Sequence, residues 1–174
     1  YIIGEQGDTI LFIDKHAAHE RMNFDRMKAE GYTPMVQTLL TPVTLHPPAE
    51  EGAALLANLP LLEEFGFVCE DFGDGTVLVR QVPSDLEVGD VPAALEELAE
   101  DLRLNRADPA AARDSLLQTM ACKSAIKAGM WSDPSELQAL ADKVQSGEIR
   151  YCPHGRPVAV KLSKYEMEKM FKRA

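Results

Sequence analysis

The stretch LFIDKHAAHERMNFD, Leu11 to Asp25, joins the end of a predicted strand to the start of a predicted helix. The strand is the apolar run TILFID, which ends at the acid Asp14 and follows a second apolar run, YIIG, after the polar turn EQGD. Two short apolar runs around a polar turn predict a β-hairpin. A helix is then predicted from Ala17 to about Glu30, where the sequence GYTP ends it. The chain therefore begins with a β-β-α unit.

Three polar residues of this helix are candidates for metal binding. His16 and Glu20 are four residues apart, so their side chains share one helix face and can bind one cation. His19 is one turn from His16, but the order His-x-x-His-Glu is not the His-Glu-x-x-His motif of zinc proteases. Taken alone, these residues fit either an ordinary solvated helix or a metal site, and the choice depends on ligands elsewhere in the chain.

The composition limits the class of protein. The chain has 174 residues, of which 45% are hydrophobic, which suits one domain or two small lobes with a buried core. Its formal net charge is −10, whereas nucleic-acid binders are usually basic because they neutralise phosphates. We therefore expect the isolated chain to bind duplex DNA weakly, although a DNA enzyme delivered by other parts is not excluded.

The cysteines and the ends of the chain indicate its compartment and context. Cys69, Cys122 and Cys152 are odd in number and widely spaced, which argues against a disulfide scaffold and favours a reducing cytoplasm. No apolar run approaches the ~18 residues of a membrane span, and no signal peptide is visible. Because the sequence begins YIIGEQ, already strand-like and without a methionine, we interpret it as a fragment of a longer protein.

The remaining pattern predicts an α+β fold. The run MVQTLLTPVTL contains Pro42 and predicts an edge strand or an exposed peptide. The run PAEEGAALLANLPLLEEFG predicts a helix, which a hairpin around Gly-Asp-Gly and another helix follow. Two further helices are predicted to begin at Asp-Pro and to end at Gly129 and Gly147. The run RPVAVKL predicts a strand, and Ser163 with Glu166 predicts a capping box at the last helix. We predict two lobes, one built from both chain ends (1–46 and 105–174) and a smaller inserted α/β lobe (47–104).

A second candidate cluster lies near the carboxyl end. The sequence YCPHGRP places Cys152 and His154 two residues apart on a stiff loop, and Cys with His is a ligand pair typical of zinc. Arg156 beside them could bind a phosphate through two parallel hydrogen bonds. The alternative is a turn with a buried thiol and an unrelated histidine. Cys122, beside Lys123 on a predicted helix, is either a further ligand or a small core residue.

Five short motifs occur together and in order: DKHAAHE, QTLLTP, ACKSAIKAG, CPHGRP and FKR. Together they resemble the C-terminal domain of the bacterial MutL family of mismatch-repair proteins, in its endonuclease branch, from Ile10 to Arg173. The family motif Asp-Gln-His-Ala-x-x-Glu-x-x-x-x-Glu is matched at Asp14, His16, Ala17 and Glu20, whereas Lys15 replaces Gln and Asp25 replaces the last Glu. At ~100° per residue Asp25 lies opposite His16 on the helix, so we expect it to form a structural salt bridge.

The resemblance implies that these elements converge on a metal-dependent endonuclease site. The implied ligands are His16, Glu20, Cys122, Cys152 and His154, and the implied catalytic carboxylates are Asp14 and Glu20. Thiolates favour Zn²⁺ and carboxylates suit Mn²⁺ or Mg²⁺, so a tight zinc ion and an exchangeable second cation are expected. Lys123, Arg156 and Arg173 are expected to bind DNA phosphates, and Cys69 is left as a core residue.

The resemblance also implies partners. The motif QTLLTP is similar to the family's sliding-clamp-binding peptide, with Gln37 making polar contacts and Leu39 and Leu40 filling an apolar pocket next to the stiffening Pro42. From the pattern alone, a plain edge strand remains the alternative. Further expected partners are a second copy of the domain (a homodimer formed by the lobe of the chain ends), an N-terminal ATPase domain of the same chain and other mismatch-repair proteins. No membrane is expected, and the expected location is the bacterial cytoplasm, in association with the nucleoid.

Two functions from different classes remain open at this point. The first is an endonuclease that nicks one strand of duplex DNA. The second is a non-catalytic module for dimerisation and clamp docking with a structural zinc site, because Cys and His ligands alone do not separate the two. Asp14 and Glu20 separate them, since a closed structural site has no need of these carboxylates.

Overall fold

The computed structural model describes residues 1–127 and 129–173 and confirms the mixed composition of helices and strands. The strands are β1 (Ile2–Gln6), β2 (Thr9–Ile13), β3 (Val36–Leu45), β4 (Val68–Gly73), β5 (Thr76–Pro83) and β6 (Ala159–Ser163). The helices are α1 (Lys15–Glu30), α2 (Ala49–Ala57), α3 (Leu59–Glu64), α4 (Val91–Leu104), α5 (Pro109–Lys123), α6 (Pro134–Gln145) and α7 (Lys164–Met170), and Val88–Asp90 form a 3₁₀ turn. Contacts divide the chain into two compact units, Tyr1–Asp25 with Ala125–Ala174, and Arg26–Ser124.

The first unit is built on an antiparallel sheet of order β1-β2-β6. Alternation along β2 directs Leu11 and Ile13 to one face, where both are buried. They join a core with Ala17 and Ala18 of α1, and with Leu140, Ile149, Cys152 and Val158 from the carboxyl-terminal part. The amino-terminal hairpin and the CPHGRP loop therefore share one core, although more than a hundred residues separate them in the sequence.

The opposite face of the same sheet is also apolar. In the antiparallel register Ile3 lies opposite Phe12, Phe12 lies opposite Val160, and Ile10 lies opposite Leu162. Directly opposed residues share a face, so these side chains form an apolar ladder on the side away from Leu11 and Ile13. Ile3 is 68% exposed and Val160 is 62% exposed. At Ile3 and Val160, the described residues of this unit leave the ladder open to solvent.

The second unit contains an antiparallel sheet of order β3-β5-β4. The predicted hairpin around Gly-Asp-Gly is confirmed as β4 and β5, with Asp74 and Gly75 at positive φ in the turn. β3 lies at the edge, as predicted, and α4 packs against α2 and α5. The core of this second unit includes the buried aromatic side chains Phe65 and Phe67.

The predicted lobe boundaries differ from the units observed. The sequence analysis assigns 26–46 and 105–124 to the lobe of the chain ends, whereas the structure groups both with the central unit. The reason is tertiary pairing that local patterns do not contain: β3 pairs with β5, and α5 packs on α4. The assignment of a dimerisation lobe and an inserted lobe stays a prediction.

Two predicted helices differ from those observed. The helix predicted from PAEEGAALLANLPLLEEFG is divided at Asn58 into α2 and α3, because Pro60 lacks a backbone donor and restricts the residue before it. The helix predicted to end at Gly129 ends instead at Lys123, where Ser124 donates its hydroxyl back to the Met120 carbonyl. No described helix combines the length and apolarity that crossing a membrane would require.

Candidate metal centre

The strand β2 leads directly into α1, and Asp14 fixes the junction. Its Oδ1 accepts hydrogen bonds from the backbone N–H groups of His16 (3.0 Å) and Ala17 (3.1 Å), which caps the helix. Its own N–H donates to the Val158 carbonyl at 2.8 Å, which ties the junction to the segment before β6. The first turn of α1, with His16, is thereby held in a fixed orientation.

Glu20 is the most unusual residue of the site. Its side chain is 0% exposed, and neither carboxylate oxygen has a hydrogen-bond partner among the described residues. His154 Nδ1 lies 2.7 Å from Glu20 Oε1, close enough for an ion pair but not aligned as a hydrogen bond. A buried carboxylate without donors is costly unless a cation compensates its charge.

The CPHGRP loop presents its side chains from a tight turn. The N–H of Cys152 donates to the Arg156 carbonyl (2.9 Å), and the N–H of Gly155 donates back to the Cys152 carbonyl (2.9 Å). Gly155 adopts a φ of +81°, a conformation that L side chains rarely adopt. Cys152 is buried, whereas the His154 side chain is 39% exposed.

Within the first unit, the structure brings together the predicted ligands of α1 and those of the CPHGRP loop. One ligand atom each from Glu20, Cys152 and His154 lie within 4.8 Å of one another, and the same distance limit joins His16 to Glu20. Imidazole, thiol and carboxylate are the donors that Zn²⁺ binds in proteins. The carboxylate without hydrogen-bond donors and this donor set both fit a metal ion.

The remaining predicted site residues lie in several places. Cys122 is half-buried at the end of α5 and belongs to the second unit, so its role as a ligand stays a prediction. Lys123 Nζ lies 3.2 Å from Glu97 Oε2 of the same unit. Arg156 and Arg173 are exposed, and their contacts with phosphates stay predictions.

The two departures from the family motif have defined partners. Asp25 lies 2.9 Å from Arg21 as an i,i+4 ion pair, so the expected salt bridge is confirmed. Lys15 Nζ donates to the Met130 carbonyl (3.0 Å) and to Ser132 Oγ (3.5 Å). Lys15 therefore attaches the start of α1 to the segment before α6, a role that the sequence pattern did not indicate.

Both histidines of the HAAH sequence contact the backbone of one residue, Ile126. His16 Nδ1 lies 3.0 Å from the Ile126 carbonyl oxygen, and the Ile126 N–H donates to His19 Nδ1 at 3.1 Å. No sequence pattern indicated Ile126, because it contributes only backbone groups. No role was predicted for His19. The i,i+3 spacing of the two histidines is the feature that could have suggested a shared partner.

The predicted clamp-binding peptide lies on β3. Pairing with β5 is regular at Val36–Thr38 and at Val43–Leu45, but residues 39–42 lie opposite the single residue Arg80. Leu40 is fully exposed, whereas Leu39 is buried. Gln37 Nε2 donates to the Leu86 carbonyl at 3.1 Å and lies 3.4 Å from the Pro83 carbonyl. In this conformation Leu40 is available to a partner and Leu39 belongs to the domain core.

Comparison with known proteins gives one family. The family model described as MutL C terminal dimerisation domain matches residues 1–131. Similar proteins include the DNA mismatch repair protein MutL of Acidiphilium cryptum, 38% identical over 100% of this chain and 31% of that protein. The MutL protein of Methanoculleus marisnigri is 36% identical over 99% of this chain and 30% of that protein. The MutL protein of Halalkalibacterium halodurans is 34% identical over 99% of this chain and 28% of that protein. The chain thus spans less than a third of the length of these curated relatives.

Proposed function

Because the chain belongs to the family of MutL C-terminal dimerisation domains, we propose that it is the metal-dependent endonuclease domain of a mismatch-repair protein, nicking one strand of duplex DNA. The observation that carries this proposal is the buried Glu20 carboxylate, which lacks hydrogen-bond donors and lies beside Cys152 and His154. Burying a carboxylate without hydrogen-bond donors is costly, so a bound cation would stabilise it.

The proposed metal set uses residues of different softness. His16, Glu20, Cys122, Cys152 and His154 would hold the cations, with thiolate and imidazole favouring Zn²⁺ and carboxylates favouring Mn²⁺ or Mg²⁺. When bound, divalent cations supply electrophilic assistance to phosphodiester hydrolysis. Asp14 lines a cleft with Tyr1, His16 and Lys127, so its carboxylate is accessible to a substrate. Lys123, Arg156 and Arg173 would bind the phosphates of the DNA.

Delivery to DNA would depend on other parts of the repair machinery. The net charge of −10 makes strong binding of duplex DNA by this chain alone unfavourable. The proposed solution is docking of the β3 peptide on a replication sliding clamp, with Leu40 in an apolar pocket and Gln37 making polar contacts. An N-terminal ATPase domain and other mismatch-repair proteins would complete the assembly.

The apolar ladder of Ile3, Phe12 and Val160 is the surface that we propose for homodimerisation. Exposed contiguous apolar faces on sheets mark interaction sites. A two-fold dimer would place the same face of both copies in contact and remove these side chains from water. The family description, which names dimerisation, supports this assignment.

Nicking of supercoiled plasmid by the purified chain with Mn²⁺ tests the catalytic proposal. The matched variant is Asp14→Asn, because Asn also caps helices and should keep the hydrogen bonds to the N–H groups of His16 and Ala17 while removing the charge. We expect the wild-type chain to nick and the variant to lose at least ~100-fold of the rate, with an unchanged melting temperature.

Elemental analysis of the same samples separates this function from the alternative, a non-catalytic dimerisation and clamp-docking module with a structural zinc ion. Bound zinc with no nicking by the wild-type chain, even when the sliding clamp is added, would favour the alternative. Normal nicking by Asp14→Asn would show that the catalytic assignment of Asp14 is wrong.

A further inference from the structure

The backbone of Ile126 contacts histidine rings of α1 through both of its polar groups, which belong to the two peptide groups that meet at its Cα. Its carbonyl oxygen lies 3.0 Å from His16 Nδ1, and its N–H donates to His19 Nδ1 at 3.1 Å. His16 and His19 are half-buried and one helical turn apart, and all three residues belong to the first unit. One short piece of backbone therefore connects a proposed metal ligand to a histidine without an assigned function.

These two contacts require different ring tautomers. A carbonyl oxygen only accepts, so His16 must carry its proton on Nδ1 and present the lone pair on Nε2. A backbone N–H only donates, so His19 must accept at Nδ1 and carry its proton on Nε2. The N–H and the carbonyl of Ile126 thus specify opposite tautomers for two neighbouring rings.

We propose that His19 is a positioning residue for the metal centre: by binding the Ile126 N–H it holds the backbone at Ile126, whose carbonyl sets the orientation and tautomer of His16. A ligating histidine whose other ring nitrogen donates to a carbonyl is held in the orientation and tautomer that metal binding needs. His19 acts one step further out, because it binds the N–H of the same residue and so restrains the backbone that carries the carbonyl. This inference rests on the proposed function, since it takes His16 as a ligand of the metal.

The geometry separates this role from simple packing. A packing role would need only the volume of the His19 ring, whereas the positioning role needs an acceptor atom at the place of Nδ1. The Oδ1 atom of Asn, bonded to Cγ as Nδ1 is, puts an acceptor close to that place. The Oε1 atom of Gln lies one bond further along the side chain. His19→Asn and His19→Gln are therefore matched variants that differ in the position of one acceptor.

The first measurement is the tautomeric state of both rings, by long-range ¹H–¹⁵N correlation spectra of the purified chain without added metal. We expect His16 to be mainly the Nδ1–H form and His19 mainly the Nε2–H form. In His19→Leu and His19→Gln the His16 population should move toward Nε2–H, and the Ile126 amide should exchange faster with solvent. His19→Asn should resemble the wild type in both respects.

The second measurement is the affinity for Zn²⁺ alone, by competition with a chromogenic chelator. We expect His19→Leu and His19→Gln to bind zinc about 10- to 100-fold more weakly, and His19→Asn to stay within about threefold of the wild type. Melting temperatures of the three variants report whether a loss reflects unfolding.

The outcomes separate this inference from the endonuclease proposal. Two results would overturn the positioning role, whether or not the chain nicks DNA. One is a wild-type spectrum in which His16 is mainly the Nε2–H form, and the other is equal zinc affinity in His19→Asn and His19→Gln. The expected tautomers and zinc affinities in a chain that does not nick, even when the sliding clamp is added, would leave the positioning role standing and reject the nuclease.

Discussion

At the scale of single residues, the Glu20 carboxylate combines complete burial with the absence of any hydrogen-bond donor among the described residues. Burying an unsatisfied polar group costs free energy that the fold must recover elsewhere. If a cation compensates the Glu20 charge, removal of that charge should stabilise the metal-free chain and weaken metal binding.

We predict that Glu20→Gln stabilises the metal-free chain by about 1–3 kcal/mol, because Gln fills the same volume with a smaller desolvation cost. The same change should weaken Zn²⁺ binding. Thermal unfolding in a chelator and zinc titration are the two measurements. The control is Glu5→Gln, an exposed carboxylate of β1, which should change stability by no more than ~0.5 kcal/mol. A lower melting temperature for metal-free Glu20→Gln would contradict the argument.

The candidate site was predictable from sequence where the information is local. The i,i+4 spacing of His16 and Glu20 and the short Cys152-Pro-His154 loop identified ligand types within each segment. That these segments meet came from the family resemblance, because no local pattern contains a contact between residues 20 and 154. The hydrogen bonds of the Ile126 backbone were missed, since they depend on positions that only the fold defines. The cap made by Asp14 was also missed, although an acid just before a helix is a local signal.

At the scale of elements, β3 separates two neighbouring leucines that the sequence treated alike. Leu39 is buried in the second unit, whereas Leu40 is fully exposed on the irregular stretch opposite Arg80. Truncation of Leu39 therefore tests stability as well as binding. Leu40 is the cleaner probe of a partner.

We predict that Leu40→Ala weakens binding to the purified sliding clamp more than about tenfold while stability changes by no more than ~0.5 kcal/mol. Leu39→Ala should instead lower stability by about 2–5 kcal/mol, because it leaves a cavity in the core. Calorimetric titration with the clamp and denaturant unfolding are the measurements. Phe72→Ala, another exposed apolar side chain of this unit, is the control and should leave clamp binding unchanged. Unchanged affinity in Leu40→Ala would remove the clamp assignment.

The final helix α7 begins with the capping box that the sequence predicted. Ser163 donates its N–H (2.8 Å) and its hydroxyl (2.6 Å) to Glu166 Oε2, and the Glu166 N–H donates to Ser163 Oγ (3.2 Å). These bonds to the carboxylate lower the pKa of Glu166 from its ordinary value of 4.5. The contribution of this cap is therefore present above pH 4.5 and is lost as the pH falls through the lowered value.

We predict that the carboxyl carbon of Glu166, followed by NMR, titrates at lower pH in the wild type than in Ser163→Ala, which removes the hydroxyl donor. Protection of the Ser163 amide against exchange should fall over the same pH range. Ser146→Ala, at a distant helix end, is the control and should not move the Glu166 midpoint. Identical midpoints in the wild type and Ser163→Ala would show that the cap does not bind the carboxylate in solution.

Most elements were predicted correctly because their patterns are strong, and the failures have physical causes. Alternating apolar runs defined both hairpins, and Asp-Pro starts with helical periodicity defined α5 and α6. Local composition favours a continuous helix across Asn58, but Pro60 interrupts it. It also favours helix beyond Lys123, but there Ile126 forms tertiary hydrogen bonds in place of helical ones. The lobe boundaries depend on long-range packing of β3 and α5, which no local pattern encodes.

At the scale of the whole molecule, the first unit contains a sheet that is apolar on both faces. One face covers the core of that unit, and the other presents Ile3, Phe12 and Val160. A three-stranded sheet with an exposed apolar face gains free energy when that face is covered, at ~25 cal/mol per Å² of apolar surface. This is the surface on which a homodimer of this chain is proposed.

If the proposed dimer forms through this face, we predict that Val160→Glu makes the chain monomeric at micromolar concentration, because a charge buried in an apolar interface loses its hydration. Size-exclusion chromatography with light scattering measures the mass. Leu104→Glu places the same charge at an exposed apolar position of the second unit and should leave the dimer intact. A dimeric Val160→Glu with native stability would place the interface elsewhere.

The irregular stretch of β3 has a consequence for aggregation as well. β3 is the edge of its sheet, and a continuous ten-residue edge would offer a row of unpaired backbone groups to strands of other molecules. The detour at residues 39–42 interrupts that row, so the same irregularity that exposes Leu40 also prevents open-ended strand addition. Shortening β3 to a straight strand would therefore remove the proposed recognition element and, at the same time, create an edge open to strand addition.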